Sequence, residues 1–388
     1  MKAKSLQLKN FRNYKELHLP LSPNINVFLG ENAQGKTNIV EALFYAAMGR
    51  SHRTGTDYDL IAWKEDEAML KLSFERLAVE NTLEFHFARG KRRQSRRNGE
   101  AIRTKELFGT FNAVLFSPED LFLVKGAPAE RRRFLDGELS QASPSYGHEL
   151  LKYTRILTQR NILLKKIRER KARKDMLSLW DVQLAESAAR IVEKRFFAIK
   201  KLNMLANLMQ RRISDGRENL SLSYEMKGAE DDPPCVTSEL VPWYNRKLEE
   251  FQELDILRGS TNVGPQRDDI RLEVNGINLR SFGSQGQQRT GVLSLKLSEL
   301  EFLRSETGEY PVLLLDDVMS ELDRTRRQKL MEFIRKEHIQ TLITATDAAY
   351  LPAGELADIF HVMAGRISSE GRHGESIEKA QSRDGKNQ

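Results

Sequence analysis

Eight residues near the start of the chain constrain it more than anything else in it. Gly30-Glu31-Asn32-Ala33-Gln34-Gly35-Lys36-Thr37 matches the phosphate-loop pattern G-x-x-x-x-G-K-[ST] at every fixed position. The context is the one the pattern needs. Before it lies a short apolar run, Ile25 to Leu29, and after it Ile39, Val40, Leu43, Phe44 and Ala47 recur at helical spacing up to Met48, with Gly49 as a stop. Each part has a physical reason. The glycines let backbone N–H groups turn inward around phosphate oxygens, Lys36 brings charge to the β and γ groups, and the Thr37 hydroxyl ligates Mg²⁺.

Such a loop also needs an acid at the end of a neighbouring strand. Val312-Leu313-Leu314-Leu315-Asp316-Asp317 supplies four apolar residues for a buried parallel strand and then two carboxylates. Asp316 is the candidate Mg²⁺ ligand, direct or through water. Asp317 is the candidate to orient or deprotonate an attacking water. An Asp there reaches one methylene less far than Glu, which is compatible with slow turnover. Asp316 lies 279 positions after Thr37, so the two meet only in a head built from both chain ends.

What lies between reads differently. From about Ser143 to Asp215 helical periodicity dominates, with a break at Lys174 to Ser178, so two antiparallel helices are expected. Gly228 to Pro234 reads as a loop and Pro242 to Leu257 as a further helix. Strand patterns occupy Met69 to Phe74, Leu83 to Phe87 and Ile270 to Val274, and Asn98-Gly99 signals a hairpin turn. Met1 to Phe11 alternates apolar and polar residues and reads as an edge strand. The expected division is a head in 1–137 and 258–367, a helical arm in 138–257, and a polar, disordered tail in 368–388.

Ser281 to Arg289 is rich in Gly, Ser and Gln and precedes a helical run. Ser284, Gly286 and that helix start would form a second anion-binding end, which makes most sense acting from a second copy of the chain.

Composition narrows the partner. The chain has 388 residues, a formal net charge of +7 and a pI near 9.3, which favours a polyanion. Its single cysteine, Cys235, forms no internal disulfide. No apolar run approaches the ~18 residues of a membrane helix, and the expected location is the cytoplasm. Between Arg89 and Lys105 lie Lys91, Arg92, Arg93, Arg96, Arg97 and Arg103, with Glu100 the lone acid. On a hairpin, several of these cations would share one side and follow a phosphate backbone. The cluster Lys165, Lys166, Arg168, Arg170, Lys171, Arg173 and Lys174 near the arm's tip is a second candidate, and a solvated helix face is its competing reading.

At this point the chain resembles the ATP-binding-cassette heads of SMC-type chromosome-maintenance proteins, and within them the bacterial RecF family. The resemblance rests on Ser51-His52-Arg53-Thr54, Pro118-Glu119 leading to Gly126-Ala127-Pro128, Arg131 to Asp136, Gly264 to Asp269, and Leu315-Asp316-Asp317 through Ser320-Glu321-Leu322-Asp323. It implies an α/β fold, a P-loop head of ABC/SMC type with an inserted, mainly helical arm. It also implies an ATP- and Mg²⁺-dependent homodimer that binds gapped, single-stranded or duplex DNA. Such a dimer works with RecR and RecO in recombinational repair, and its weak DNA-stimulated ATPase serves as a switch. Ser284 to Gln287 would then act in trans. Thr344 to Asp347 stands where transporter cassettes carry a histidine, and Arg12, Asn13 and Arg53 are candidate phosphate contacts. The alternative is the ATP-binding subunit of a membrane transporter.

Overall fold

The computed structural model describes residues 1–229, 233–350 and 357–372. The chain forms two compact units, one from Met1–Asp120 together with the chain from Leu303 onward, the other from Leu121–Phe302.

Among the described residues, the first unit carries two six-stranded sheets. In one, the order is Tyr14–Pro20, Lys2–Phe11, Glu67–Arg76, Val79–Ala88, Gln94–Arg97 and Glu100–Ile102, all antiparallel. The first strand is therefore internal, paired on both sides, and not the edge strand its pattern suggested. Alternation reports that one face is buried, not how many neighbours a strand has. The turn at Asn98-Gly99 forms as expected, with φ of +50° and +85°.

The other sheet runs Arg366–Arg372, Ala357–Met363, Ile25–Leu29, Thr341–Ala345, Val312–Asp316 and Ala113–Phe116. It is parallel except at its first edge. Every residue of Val312–Asp316 is buried, which explains why it reads as an unbroken apolar run. Helix Lys36–Met48 joins the two sheets in one core. Its Ile39, Val40 and Leu43 pack in the same cluster as Leu8, Leu72 and Phe85 of the antiparallel sheet and Phe28, Leu314 and Leu342 of the parallel one. Of the tail expected over 368–388, residues 368–372 belong to strand Arg366–Arg372, and residues 373–388 lie outside the described residues.

The second unit packs helices Pro128–Ala142, Pro144–Arg168, Leu177–Ile213, Thr237–Glu250 and Gln252–Arg258 with a three-stranded antiparallel sheet of Ile277–Asn278, Asp269–Val274 and Leu220–Glu225. The expected pair of long helices is present. The single helix expected over 242–257 is two, and Pro242 sits inside the first of them. Of the loop expected at 228–234, residues 230–232 lie outside the described residues. This unit divides from the first at 120/121 and 302/303, outside the 137/138 and 257/258 read from composition, because Pro128–Ala142 and the small sheet share its packing.

Buried cations clip the arm together. Arg160, fully buried, donates to Asp181 at 2.6 Å and Asp255 at 2.7 Å. Arg195 donates to Asp136 (2.7 Å), Pro265 O (2.7 Å), and the Tyr146 and Tyr224 hydroxyls (3.0 Å each). Such charges persist in a core only when they are paired. Each guanidinium nitrogen of Arg195 has a partner, and Arg160 meets carboxylates at Nε and Nη1 while its Nη2 has no hydrogen-bond partner. Among the described residues no helix is long and apolar enough to cross a membrane.

Candidate nucleotide site

The phosphate loop follows strand Ile25–Leu29 and opens helix Lys36–Met48. Its glycines are required by space as well as by dihedral angle. Gly35 has φ +118°, and a Cβ there would come within 2.6 Å of the Asn13 amide. A Cβ on Gly30 would collide with the Val362 carbonyl. Lys36, 3% exposed, curls into the loop and donates from Nζ to the carbonyls of Gly30 (2.6 Å) and Glu31 (2.8 Å). No side chain caps this helix start, and its first turn carries no acid. The first-turn amides and the helix dipole thus face the loop, as anion binding needs.

Opposite Lys36 and Thr37, the two chain ends meet. Thr37 Oγ1 donates to Asp316 Oδ1 at 3.1 Å, and Thr344 Oγ1 donates to the same oxygen at 2.7 Å. Thr344 Oγ1 also accepts from the Asp317 amide at 2.9 Å. Burial pushes the Asp316 carboxyl upward. The hydrogen bonds from Thr344 and Thr37 pull it back, and the charges of Asp317 and Glu119 add to the rise. A buried carboxylate under that pressure, touching the P-loop hydroxyl, is a donor set suited to a hard divalent cation. Asp317 itself takes the left-handed conformation, φ +53°, which an Asp tolerates better than most residues.

The remaining loop residues divide by role. Glu31, Asn32 and Ala33 are exposed. Gln34, expected to face the nucleotide, is engaged by the fold. Its side-chain oxygen accepts from Ala364 N at 2.7 Å, and its carbonyl accepts from Gly365 N at 3.1 Å and Asn13 Nδ2 at 2.8 Å. Asn13 also accepts from Asn38 Nδ2 at 2.8 Å, so it braces the loop.

Arg12 is fixed by helix Lys36–Met48. It donates to both oxygens of the fully buried Glu41, at 2.9 and 2.6 Å. Burial alone would raise Glu41, yet its carboxyl lies below the usual range because hydrogen bonds from Arg12 and Ser51 and the charges of Arg12 and Arg53 outweigh it. Arg53 donates to Asn38 Oδ1 at 2.9 Å. Both arginines line an open cleft of about 620 Å³ with Tyr58, Trp63, Lys64 and Arg89, and Trp63 is 92% exposed. Periodicity gave no hint of this cleft, since its walls come from loops. His52 lies beside it with its ring edge-on to Phe44, and burial pushes its pKa down to about 4.

Ser284 and Gly286 belong to the second unit, and both are exposed. Ser284 starts helix Gln285–Thr307 with reciprocal bonds: Gln287 N donates to its Oγ at 3.2 Å, and its own N donates to Gln287 Oε1 at 3.0 Å. That is a capping box, which holds the helix start rigid and leaves Ser284 on the surface.

The basic clusters are not uniform. In the Arg89–Lys105 stretch, Arg93 is turned inward to the Tyr45 hydroxyl and Gly49 carbonyl, and Arg97 to Asn81 Oδ1. Lys91, Arg92 and Arg96 are exposed around a shallow pocket of about 250 Å³ with His86 and Gln94. At the arm's tip Lys171, Arg173 and Lys174 pair with Glu169, Asp175 and Glu253, which reduces the free charge there.

The RecF/RecN/SMC N terminal domain model matches residues 2–368. A protein named DNA replication and repair protein RecF from Halothermothrix orenii is 46% identical over 343 residues, 88% of this chain and 91% of that one. The chain belongs to the RecF family. A solved structure described as the recombination mediator protein RecF-ATP in the RecFOR pathway is 35% identical, with a TM-score of 0.87 over 95% of this chain and 97% of that one. The Smc head domain from Pyrococcus furiosus, 16% identical with a TM-score of 0.56 over 98% of each chain, shares the fold. The expected α/β fold of the RecF and SMC heads is thereby established, and RecF membership leaves the transporter alternative without support.

Proposed function

We propose that this chain is an ATP-dependent DNA-binding switch of replication and recombinational repair. The observation that carries the reading is the Thr37–Asp316 pair, which joins the phosphate loop to an acid from the far end of the chain at 3.1 Å. Gly30, Glu31, Asn32, Ala33 and Gly35 supply the backbone cradle, Lys36 the charge beside it, and Thr37 and Asp316 the oxygens that would hold Mg²⁺. A divalent cation held there would supply charge that offsets that of the phosphates. Asp317 orients the attacking water, and Lys36, directed into the loop, meets the terminal phosphates. The cleft walled by Arg12, Arg53 and Trp63 takes the nucleoside end, with Trp63 offering a flat face for a base.

Two copies close head to head, each offering Ser284 and Gly286 to the nucleotide held by the other. The exposed position of both residues and the rigid helix start support this. Closure creates the DNA-binding state. Lys91, Arg92 and Arg96 contact the phosphate backbone, so affinity falls steeply with salt. Slow hydrolysis reopens the dimer. By kinship, the DNA carries a gap or single-stranded segment, and the work is shared with RecR and RecO in loading recombinase in the cytoplasm.

Light-scattering mass with and without ATP, and DNA affinity across a salt series, test this. Lys36→Ala is expected to remain monomeric with ATP. Asp317→Asn is expected to bind ATP and stay dimeric. A mass independent of ATP in the unsubstituted chain would reject the switch.

A further inference from the structure

The long arm helix Leu177–Ile213 has two apolar faces, and the fold uses one. Ala198, Leu202, Ala206, Met209 and Ile213 are buried within the second unit. On another face Phe197, Met204 and Leu208 remain 64%, 61% and 45% exposed. Their spacing, seven and then four residues, puts them in one line along the helix, about 16 Å long at 1.5 Å per residue. It is the spacing of a seam that packs against a second helix. A helix serving only its own core needs a single apolar stripe.

The helix residues that flank this line carry one sign. Lys200, Arg211 and Arg212 are exposed beside it. Lys201 also lies there, its ammonium 5.7 Å from the Phe302 ring, and Arg211 donates to Asn219 Oδ1 at 3.3 Å. From Lys194 to Arg212 the sequence holds no Asp or Glu.

We propose that this face is a docking seam for an amphipathic helix of a partner protein, with apolar residues at heptad spacing and Asp or Glu along both flanks. Charge complementarity selects that occupant. A second copy pairing through the same face would set these cations against their own kind, which is unfavourable. A nucleic-acid backbone would satisfy the cations and leave Phe197 and Met204 with no counterpart.

The test uses the full chain and two labelled peptides of about three heptads, both with Leu at the seam positions, one with Glu on the flanks and one with Lys. The acidic peptide is expected to bind at least about tenfold more tightly than its basic twin, a difference of about 1.4 kcal/mol. Phe197→Ser/Met204→Ser/Leu208→Ser should abolish binding of the acidic peptide, and Lys200→Glu/Arg211→Glu should reverse the preference between the two. Unchanged melting curves would show that these surface variants fold. Equal affinity for the two peptides, or indifference to either set of substitutions, would overturn the proposal. So would a triple variant that lost duplex-DNA affinity, which assigns the face to nucleic acid, or one that lost self-association in sedimentation, which assigns it to a second copy.

Discussion

Thr37 and Asp316 are separated by 279 positions of sequence and by 3.1 Å between Oγ1 and Oδ1. The hydroxyl belongs to the first turn of the helix that follows the phosphate loop, and the carboxylate ends the strand Val312–Asp316. Neither element forms this contact without the other.

That pairing predicts a metal-specific defect. Asp316→Asn keeps the size of the side chain and removes its charge. ATP affinity with Mg²⁺ should fall by about one to two orders of magnitude, the loss of one strong charge-assisted interaction. Affinity measured in EDTA should change little. Calorimetric titration under both conditions reads the difference; equal losses in the two would argue against a role in metal binding.

Thr344 should act as a positioning residue. One hydroxyl gives a hydrogen bond to Asp316 and takes one from the Asp317 amide. Thr344→Val is nearly isosteric, so packing survives while both bonds are lost. Turnover should drop by about fivefold to thirtyfold, for one or both hydrogen bonds at ~1 kcal/mol each, with the KM for ATP moving much less. Thr344→Ser should restore the rate. If Ser fails as badly as Val, the methyl group rather than the hydroxyl is what matters.

Trp63 tests the nucleoside end of the cleft. Trp63→Ala should weaken ATP by about threefold to tenfold, and Trp63→Phe should recover most of it, since stacking on an aromatic face contributes about 0.5–1.5 kcal/mol. Inorganic triphosphate, which has no base, should bind both variants alike. A side chain that is 92% exposed contributes little to the core, so stability should be unaffected.

His52 gives the head an acid limit. Burial holds it neutral, with a pKa of about 4 against an ordinary 6.5. The unfolded chain therefore binds a proton between those values that the folded chain does not. The contribution is complete above pH 6.5 and is lost as pH falls toward 4, amounting to about 1–3 kcal/mol. His52→Gln should flatten this part of the stability profile in denaturant titrations from pH 7 to 4.5. A histidine NMR titration with a midpoint near 6.5 would contradict it.

Much of the head was legible because its chemistry is local in sequence even where its assembly is not. Gly30 to Thr37 states the strand, turn and helix around it, and Val312 to Asp317 announces a buried strand ending in carboxylates. What stayed hidden arises from packing across distance. The pairing of Lys2–Phe11 on both sides cannot be read from its alternation, which encodes a face and not a neighbour. Gln34 fits a ligand position by pattern, and its side-chain oxygen and carbonyl also serve the turn at Ala364 and Gly365. Arg12, read as a phosphate contact, is held by Glu41, a residue that looks like ordinary helix polarity until its burial is known. The segment Thr344 to Asp347 stands where transporter cassettes carry a histidine, and nothing in its sequence reveals that the Thr344 hydroxyl bridges two aspartates.

The order in which the parallel sheet is assembled bears on how the protein is made. Strand Ile25–Leu29 has Thr341–Ala345 on one side and Ala357–Met363 on the other. At ribosomal rates of ~5–20 residues per second, it waits roughly 15–60 s after its own synthesis for either neighbour. Throughout that interval a strongly apolar strand shows two bare edges, the situation that invites mispairing between nascent chains. Polypeptides terminated anywhere before residue 341 never escape it. Such fragments should be found in inclusion bodies or bound to chaperones, however well their antiparallel sheet has folded.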